Sequence, residues 1–422
     1  MEQKIYNEYV EILKEELLPA MGCTEPIAVA YAAAVAVQAL GEKPESVEVN
    51  VSANIIKNVK SVVVPCTGGL RGIGAAVCAG IVAGCPEKEL EILEEITGEQ
   101  KVEMKKMLDT MPMTIRESDK EYIFDIQIKA CAGGHSGYVE IAGFHTNVIC
   151  VKKDDEIIRE KAYEEQGSSC ATDRSLLTVE KIIEFADCVD VADVEEVLQR
   201  QIDYNWAIAE EGMTGNWGAA IGKTLMEAYG NSVHNRAKAM AAAGSDARMN
   251  GCELPVVINS GSGNQGMTTS LPVIVYAKEL NVSKEMMLRA LVVSNLITIH
   301  MKTGIGRLSA YCGAISAGCG AGAGICYLYG GRAYEISHVI VNAVAINSGV
   351  VCDGAKASCA AKIASAVEAG LLGLQMQKNG KQFYGGDGLV EKGVENTIRN
   401  IGEFAKKGMR ETDKTIIQII TR

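Results

Sequence analysis

The sequence predicts an α+β fold, in which a mostly helical domain is built from both chain ends and a smaller α/β domain is inserted into it. The first observation is an apolar period of 3.6 residues over residues 1–20, which is typical of an amphipathic helix. The second is a change to period two at Val47, Val49 and Val51, which indicates strands. The third is the return of helical patterns from about residue 175 onward.

These changes of period place the domain boundaries. We predict a helical domain from residues 1–44 and 156–422, and an inserted α/β domain from residues 45–155. A chain of 422 residues suits two domains. A polar turn at residues 152–156 is expected to end the β-rich block. Further strands are predicted within the insertion, at residues 61–65, 123–128 and 138–151.

Charge and hydropathy exclude several classes of partner. The net charge is −12 and no stripe of lysine or arginine is present, which argues against nucleic acid. Residues 308–331 form an uncharged stretch long enough to cross a bilayer, but Gly, Ala, Ser and Cys dominate it, so we predict a buried helix and no membrane association. The N-terminal helix lacks the features of a signal peptide, so a cytoplasmic protein is expected. The sequence leaves the oligomeric state open, a homodimer included.

Fourteen cysteines raise the question of metal binding. No CxxC pair occurs, which excludes zinc ribbons, thioredoxin-like motifs and ferredoxin-type cluster runs. In a reducing compartment these residues are thiols or metal ligands and not disulfides. Half of them have apolar or unremarkable neighbours and are expected to be small buried hydrophobic residues: Cys78, Cys85, Cys131, Cys150, Cys170, Cys188 and Cys252.

Cys352 and Cys359 differ, because they lie seven residues apart across a glycine-containing passage from loop to helix. Two thiols in such a turn can converge on one metal centre. A third ligand would come from residues 307–330, a stretch rich in glycine and alanine. Spacing alone does not choose among its three cysteines, Cys312, Cys319 and Cys326.

Cys23 lies just outside a predicted helix N-terminus, with Thr24 as the expected N-cap and Pro26 in the first turn. The positive end of the helix dipole is expected to lower the pKa of this thiol. The resulting thiolate would suit a nucleophile, a metal ligand or a general base.

The segment 261–266 fits the dinucleotide fingerprint GxGxxG and follows a strand-like stretch at residues 254–259. The fingerprint also needs a full helix after the last glycine, and Pro272 is expected to prevent one. We therefore reject nicotinamide dinucleotide binding. The loop is interpreted instead as a carboxylate site, formed by backbone N–H groups and the side chains of Ser262, Asn264 and Gln265.

Three segments together resemble the L-cysteine desulfidase family, whose relatives are the iron–sulfur L-serine dehydratases. These segments are residues 22–26 (GCTEP), 263–266 (GNQG) and 352–356 (CDGAK). The resemblance covers nearly the whole chain, since residues 53–58 (ANIIKN) and 143–147 (GFHTN) in the β-rich block also match. The three-part signature is specific, whereas any one part alone would be weak.

The resemblance implies a 4Fe–4S cluster held by three cysteines separated by forty and seven residues, which here are Cys312, Cys352 and Cys359. It implies that Cys23 is the catalytic base. The segment of the serine dehydratases that corresponds to residues 23–26 lacks the cysteine, which favours the desulfidase branch. The implied reaction converts L-cysteine to pyruvate, ammonia and hydrogen sulfide, with an open iron binding the sulfur that leaves.

The candidates for holding the amino-acid substrate's carboxylate and amine are Thr24, Ser260, Ser262, Asn264 and Gln265. Three other functions stay open. The same scaffold could act as an L-serine dehydratase, the protein could be a nicotinamide oxidoreductase, or it could bind an iron–sulfur cluster without catalysis.

Overall fold

A computed structural model of the chain describes residues 1–163, 172–306 and 308–421, so that Cys170 lies outside the described residues. The predicted α+β class is confirmed. The α-helices are α1 (Gln3–Glu16), α2 (Thr24–Leu40), α3 (Ala53–Val59), α4 (Gly72–Ala83), α5 (Gly98–Thr110), α6 (Val179–Cys188), α7 (Ala192–Thr214), α8 (Ile221–Tyr229), α9 (Val233–Met249), α10 (Gly263–Glu279), α11 (Lys284–Ile305), α12 (Gly313–Leu328), α13 (Ala333–Asn347), α14 (Cys359–Lys378), α15 (Val394–Glu403) and α16 (Arg410–Thr421). The strands are β1 (Pro19–Met21), β2 (Ser46–Val51), β3 (Met113–Glu117), β4 (Asp125–Ala132), β5 (His135–Ala142), β6 (Val148–Lys153), β7 (Glu156–Glu160) and β8 (Pro255–Val257).

Six strands form one sheet in the order β3-β2-β4-β5-β6-β7. The β2–β3 pair is parallel and the other neighbours are antiparallel, with Val49 opposite both Ile115 and Ile128. Helix α2 packs against β4 and β5 and against α4. The contact is close, because a Cβ added at Gly137 would lie 2.1 Å from the carbonyl oxygen of Ala36. The β-rich block is therefore built directly onto the helix that begins beside Cys23.

Helix α12 lies at the centre of the helical part and packs against α10, α11, α13 and α14. Its small residues permit this packing, since a Cβ added at Gly318 would lie 2.3 Å from the carbonyl oxygen of Ala366 on α14. The prediction of a buried helix within residues 308–331 is confirmed. Within the described ranges, no helix is long and apolar enough to cross a membrane.

Two details of the predicted β-rich block are wrong. Residues 61–65 do not form a strand, since Val63 makes only an isolated bridge to Arg71. The run is apolar because it is buried, and a short apolar run does not by itself distinguish a strand from other buried backbone. The polar turn at residues 152–156 does not end the block either, because it joins β6 to β7 and the sheet continues to Glu160.

The division into two domains stays a prediction. Helix α1 packs on α7 and α11, and β1 pairs with β8 from the C-terminal part of the chain. Helix α2, which also precedes the predicted boundary at residue 44, instead covers the six-stranded sheet. The first 44 residues therefore contact both parts of the fold.

Candidate active site

Most of the functional residues that the sequence predicts line one cavity. It holds about 740 Å³ of space between the atoms, part of it open to solvent. Seven of the nine predicted site residues line it: Cys23, Ser262, Asn264, Gln265, Cys312, Cys352 and Cys359. The other two, Thr24 and Ser260, are not among its lining residues.

Backbone pairing brings Cys312 and Cys352 together although forty residues separate them. The amide of Cys312 donates to the carbonyl oxygen of Val350 at 3.2 Å, and the amide of Cys352 donates to that of Ala310 at 2.6 Å. The two segments thus form a short antiparallel bridge centred on Tyr311. Since side chains alternate between the two sides of such a pairing, both cysteines lie on one side of it.

Cys359 reaches the same cavity as the first residue of α14. The turn before it passes close to α3, where a Cβ added at Gly354 would lie 2.3 Å from the carbonyl oxygen of Lys57. Gly354 also has a φ of 95°, which favours glycine. The glycine of the CDGAK segment is thereby explained, because only glycine fits between Cys352 and α3 in this conformation.

Lysines fix the rest of the CDGAK segment. Lys356 and Lys362 both form ion pairs with Asp353, and Lys362 Nζ donates to the carbonyl oxygen of Val351 at 2.8 Å. Although burial opposes the shift, the hydrogen bonds that Lys356 and Lys362 donate to Asp353 lower its pKa to about 2. The loop that carries Cys352 is therefore tied to α14.

The neighbouring thiols affect the pKa values of Cys312 and Cys359. Burial raises the pKa of Cys312, and the neighbouring Cys352 and Cys359 raise it further. Burial also raises the pKa of Cys359, and Cys352 adds to the shift. Cys319 and Cys326 are buried within α12 and do not line the cavity. Of the three cysteines that spacing left open, the structure thus places Cys312 in the cavity.

In the part of the chain that the structure describes, no group of three His, Cys, Asp or Glu side chains is arranged to hold a single metal ion. An iron–sulfur cluster requires a different arrangement of ligands from a single metal ion, because each thiolate binds a different iron atom. Ligands of a cluster therefore surround a volume and do not converge on one point.

Four helices begin at this cavity. Cys23, Ser262 and Cys312 are the N-caps of α2, α10 and α12, and Cys359 is the first residue of α14. None of the four N-caps uses its side chain to bond the first-turn N–H groups. Helix N-termini attract anions through these N–H groups and the helix dipole, so the cavity is suited to thiolates and carboxylates.

The expectation for Cys23 needs two corrections. Cys23 itself is the N-cap of α2, and Thr24 is the first helical residue. Its pKa is raised and not lowered, because burial disfavours the thiolate and Glu25 adds to the rise, while Arg248 opposes both. The thiol donates to Glu25 Oε2 at 3.2 Å, and Asn58 Nδ2 donates to Glu25 Oε1 at the same distance.

Several polar atoms around the cavity are buried without hydrogen-bond partners among the described residues. They are Asn264 Oδ1, Gln265 Oε1 and the hydroxyl of Tyr311. Buried polar atoms are nearly always paired, so atoms left unpaired beside a cavity are available to bind a ligand or water. By contrast, the hydroxyl of Ser260 donates to Asn259 Oδ1 at 2.9 Å, and that of Thr24 donates to the carbonyl oxygen of Gly261 at 3.0 Å. Their contact with substrate stays a prediction.

The prediction that Pro272 prevents a helix after the glycine loop is wrong. A full helix, α10, follows the glycine loop and continues through Pro272. The strand before the loop decides against the fingerprint on other grounds, because β8 pairs antiparallel with β1 in a two-stranded sheet and not in a parallel βαβ unit.

Comparison with known proteins identifies the family of this chain. The family model described as the serine dehydratase alpha chain matches residues 87–418. The chain belongs to the serine dehydratase alpha-chain family. A similar protein is a UPF0597 protein of Desulfitobacterium hafniense (strain Y51), 59% identical over 419 residues that cover 99% of this chain and 97% of the relative. A UPF0597 protein of Lachnoclostridium phytofermentans is 50% identical over 419 residues, covering 99% and 100%.

Some of the residues that line the cavity lie within the segment that the family model matches, and others precede it. Arg248 and the three cysteines Cys312, Cys352 and Cys359 lie within the matched residues 87–418, whereas Cys23 precedes them. The predicted relationship to the serine dehydratases is confirmed.

Sequence reasoning missed several lining residues, among them Glu25, Asn58, Arg248, Tyr311 and Lys362. Glu25 lay within the quoted GCTEP segment but was given no role. Arg248 lies in the alanine-rich helix α9 together with Arg236, Lys238 and Asp246, and nothing in its local pattern distinguishes it from a surface arginine.

Proposed function

We propose that this member of the serine dehydratase alpha-chain family is a 4Fe–4S-dependent lyase that degrades L-cysteine to pyruvate, ammonia and hydrogen sulfide. One observation carries the proposal: Cys23 lines the same cavity as three cysteines separated by forty and seven residues. The resemblance to the desulfidases implies a base and a cluster with this set of thiols.

The residues around the cavity fit a cluster. Cys312, Cys352 and Cys359 would hold it, since thiolates are the usual ligands of iron–sulfur centres. The pKa values of Cys312 and Cys359 are raised, so binding iron would release protons from these thiols. The helix N-termini and Lys362 would offset the negative charge that results. When bound, the cluster would supply an iron atom without a protein ligand, a Lewis acid for the departing sulfur.

Cys23 would remove the proton from Cα of the substrate. Glu25 Oε2 lies 3.2 Å from the Cys23 sulfur and would orient it, while the positive charge of Arg248 favours the thiolate. Loss of the α-proton and cleavage of the Cβ–S bond leave an aminoacrylate. This product tautomerises and consumes one water molecule to give pyruvate and ammonium, while the sulfur leaves as sulfide.

The loop before α10 would orient the amino acid. Asn264 Oδ1 and Gln265 Oε1 are unpaired acceptors and would accept from the substrate's ammonium group. Ser262 would donate from the N-cap position of α10. Thr24 and Ser260 would act by positioning, because their hydroxyls fix the chain around Gly261. A reduced thiol set and an iron–sulfur cluster require a reducing environment, and we therefore propose a cytoplasmic location.

The test is anaerobic reconstitution with iron and sulfide, followed by assays of sulfide and pyruvate released from L-cysteine. We expect broad iron–sulfur absorbance, about one four-iron cluster per chain, and the two products in equal amounts. Cluster-free protein that releases sulfide at the same rate would contradict the proposal. A bound cluster without turnover of any amino acid would instead indicate a non-catalytic iron–sulfur protein.

L-serine dehydration is the second candidate, and the family match over residues 87–418 favours it. Hydroxide would then leave in place of sulfide, with the same base. Comparing kcat/KM for ammonia release from L-cysteine and L-serine separates the two reactions. A higher value for L-serine would replace the desulfidase assignment with that of a dehydratase.

A further inference from the structure

Arg248 carries a buried positive charge at the cavity. Its side chain projects from α9 and is 2% exposed. The Nε atom donates to the carbonyl oxygen of Gly22 at 2.8 Å, which fixes the guanidinium beside the segment that carries Cys23. Among residues 1–163, 172–306 and 308–421, no Asp or Glu forms an ion pair with Arg248.

The guanidinium lies against the N-terminus of α10. A Cβ added at Gly263, the first residue of that helix, would lie 2.5 Å from Arg248 Nε and 2.8 Å from its Cζ. Gly263 therefore leaves room for the arginine. Two positive features, the guanidinium and the first-turn N–H groups of α10, thus share one wall of the cavity.

A buried cation costs free energy unless an anion pairs with it. The carboxylate of Glu25 also lines the cavity, but its oxygens accept from Cys23 and Asn58 and it forms no ion pair with Arg248. Besides the Cys23 thiolate, whose formation the guanidinium favours, the cavity leaves an anionic ligand as the partner of this charge. A planar guanidinium matches a carboxylate through two parallel hydrogen bonds, which makes a carboxylate the best partner.

We infer that Arg248 binds the α-carboxylate of the amino-acid substrate, between its guanidinium and the N-terminus of α10. The cavity then selects ligands with an α-carboxylate and rejects the matching amines. The inference rests on the proposed function only for the nature of the substrate, and it holds for cysteine and serine alike. The bond from Arg248 to Gly22 sets the carboxylate in a fixed relation to Cys23, the adjacent residue.

The experiment measures binding without turnover. L-alanine keeps the amine and the carboxylate but has no leaving group, and ethylamine is the same molecule without the carboxylate. Calorimetric titration of the anaerobically reconstituted protein is expected to show binding of L-alanine in preference to ethylamine. Arg248→Gln should weaken L-alanine binding by about 10- to 100-fold, the loss expected for hydrogen bonds to a charged group, and should leave ethylamine unchanged.

Arg236→Gln is the matched control, because Arg236 lies on the same helix but pairs with Glu279 outside the cavity. It should bind L-alanine as the wild type does. Where Arg248→Gln fails to fold, Arg248→Lys keeps the charge and loses the planar fork, and it should still raise KM for L-cysteine more than it lowers kcat. The iron–sulfur absorbance and the thermal midpoint of each variant report on folding.

The outcomes separate this inference from the proposed function. Equal binding of L-alanine by Arg248→Gln and the wild type overturns the inference, as does a wild type that binds L-alanine no better than ethylamine. Arginine-dependent binding of L-alanine together with no sulfide from L-cysteine would sustain the inference and contradict the desulfidase activity.

Discussion

Helix α12 carries cysteines in two different surroundings. Cys312 lies at its N-terminus beside the cavity, whereas Cys319 and Cys326 lie in its body between neighbouring helices. All three are spaced by seven residues. At the N-terminus, the thiol of Cys312 lies beside the first-turn N–H groups and the backbone bridge to the Cys352 segment. In the body of the helix, the thiols of Cys319 and Cys326 are buried among packed residues. Position along the helix, and not spacing, distinguishes a candidate ligand from a packing residue.

The substitution with the largest expected effect tests this comparison directly. Cys312→Ser should abolish the iron–sulfur absorbance and sulfide release, because a four-iron cluster would be left with two protein thiolates. Cys352→Ser and Cys359→Ser should do the same. Cys319→Ser and Cys326→Ser, the controls from the helix body, should keep the absorbance of the reconstituted protein. Loss of the cluster in Cys319→Ser with its retention in Cys312→Ser would contradict our ligand set.

The next effect concerns Cys23, the thiol at the start of α2. Cys23→Ala should keep the cluster and lower turnover of L-cysteine by two to four powers of ten, which is roughly what a positioned general base contributes. The exchange of the α-hydrogen of L-cysteine into deuterated water should fall in parallel. Wild-type rates of both exchange and turnover in Cys23→Ala would remove the residue from the mechanism.

The same contrast between helix end and helix body explains what the sequence could predict. The strands around Val49 and the buried helix α12 follow from apolar period and composition, and both were predicted. The N-terminal position of Cys23 was predicted, but the direction of its pKa shift was not, because burial depends on Val62 and Met249, which pack beside it from distant segments.

Residues that act through long-range packing left no local pattern. Arg248 lies 226 positions from the Gly22 carbonyl that it bonds, and only the folded chain brings them together. Pro272 predicts the end of a helix, yet α10 continues through it because the helix is buried among other helices. Local propensity is weaker than such tertiary contacts.

A third prediction compares two glycines of α12. A Cβ at Gly318 would lie 2.3 Å from the backbone oxygen of Ala366, whereas a Cβ at Gly313 would lie 2.6 Å from the side-chain amide carbon of Gln265. Gly318→Ala should therefore lower the free energy of unfolding by about 1–3 kcal/mol, as overpacking does, and leave KM for L-cysteine unchanged. Gly313→Ala should raise KM and change stability less. Urea unfolding and steady-state kinetics measure the two effects, and equal changes in both variants would contradict the distinction.

The smallest expected effect lies on α14, whose first residue is Cys359 and whose middle carries Glu368. His234 donates a hydrogen bond to Glu368 at 2.9 Å and Lys238 donates one at 2.6 Å. The bond from His234 is the main cause that lowers the pKa of Glu368 to about 2, and Lys238 contributes although burial opposes it. Because the folded-state pKa lies below the ordinary value near 4.5, the carboxylate stabilises the fold above pH 4.5 and loses this contribution as pH falls toward 2.

The Glu368 side chain is 43% exposed, so solvent screens the interaction and Glu368→Gln should cost below about 1 kcal/mol at pH 7. Urea unfolding of both proteins at several pH values below 4.5 should show the difference shrinking as pH falls, with the iron–sulfur absorbance at pH 7 equal in the two. A difference that grows as pH falls below 4.5 would give the shift the wrong sign, and a lost cluster would mean that the body of α14 also shapes the cavity.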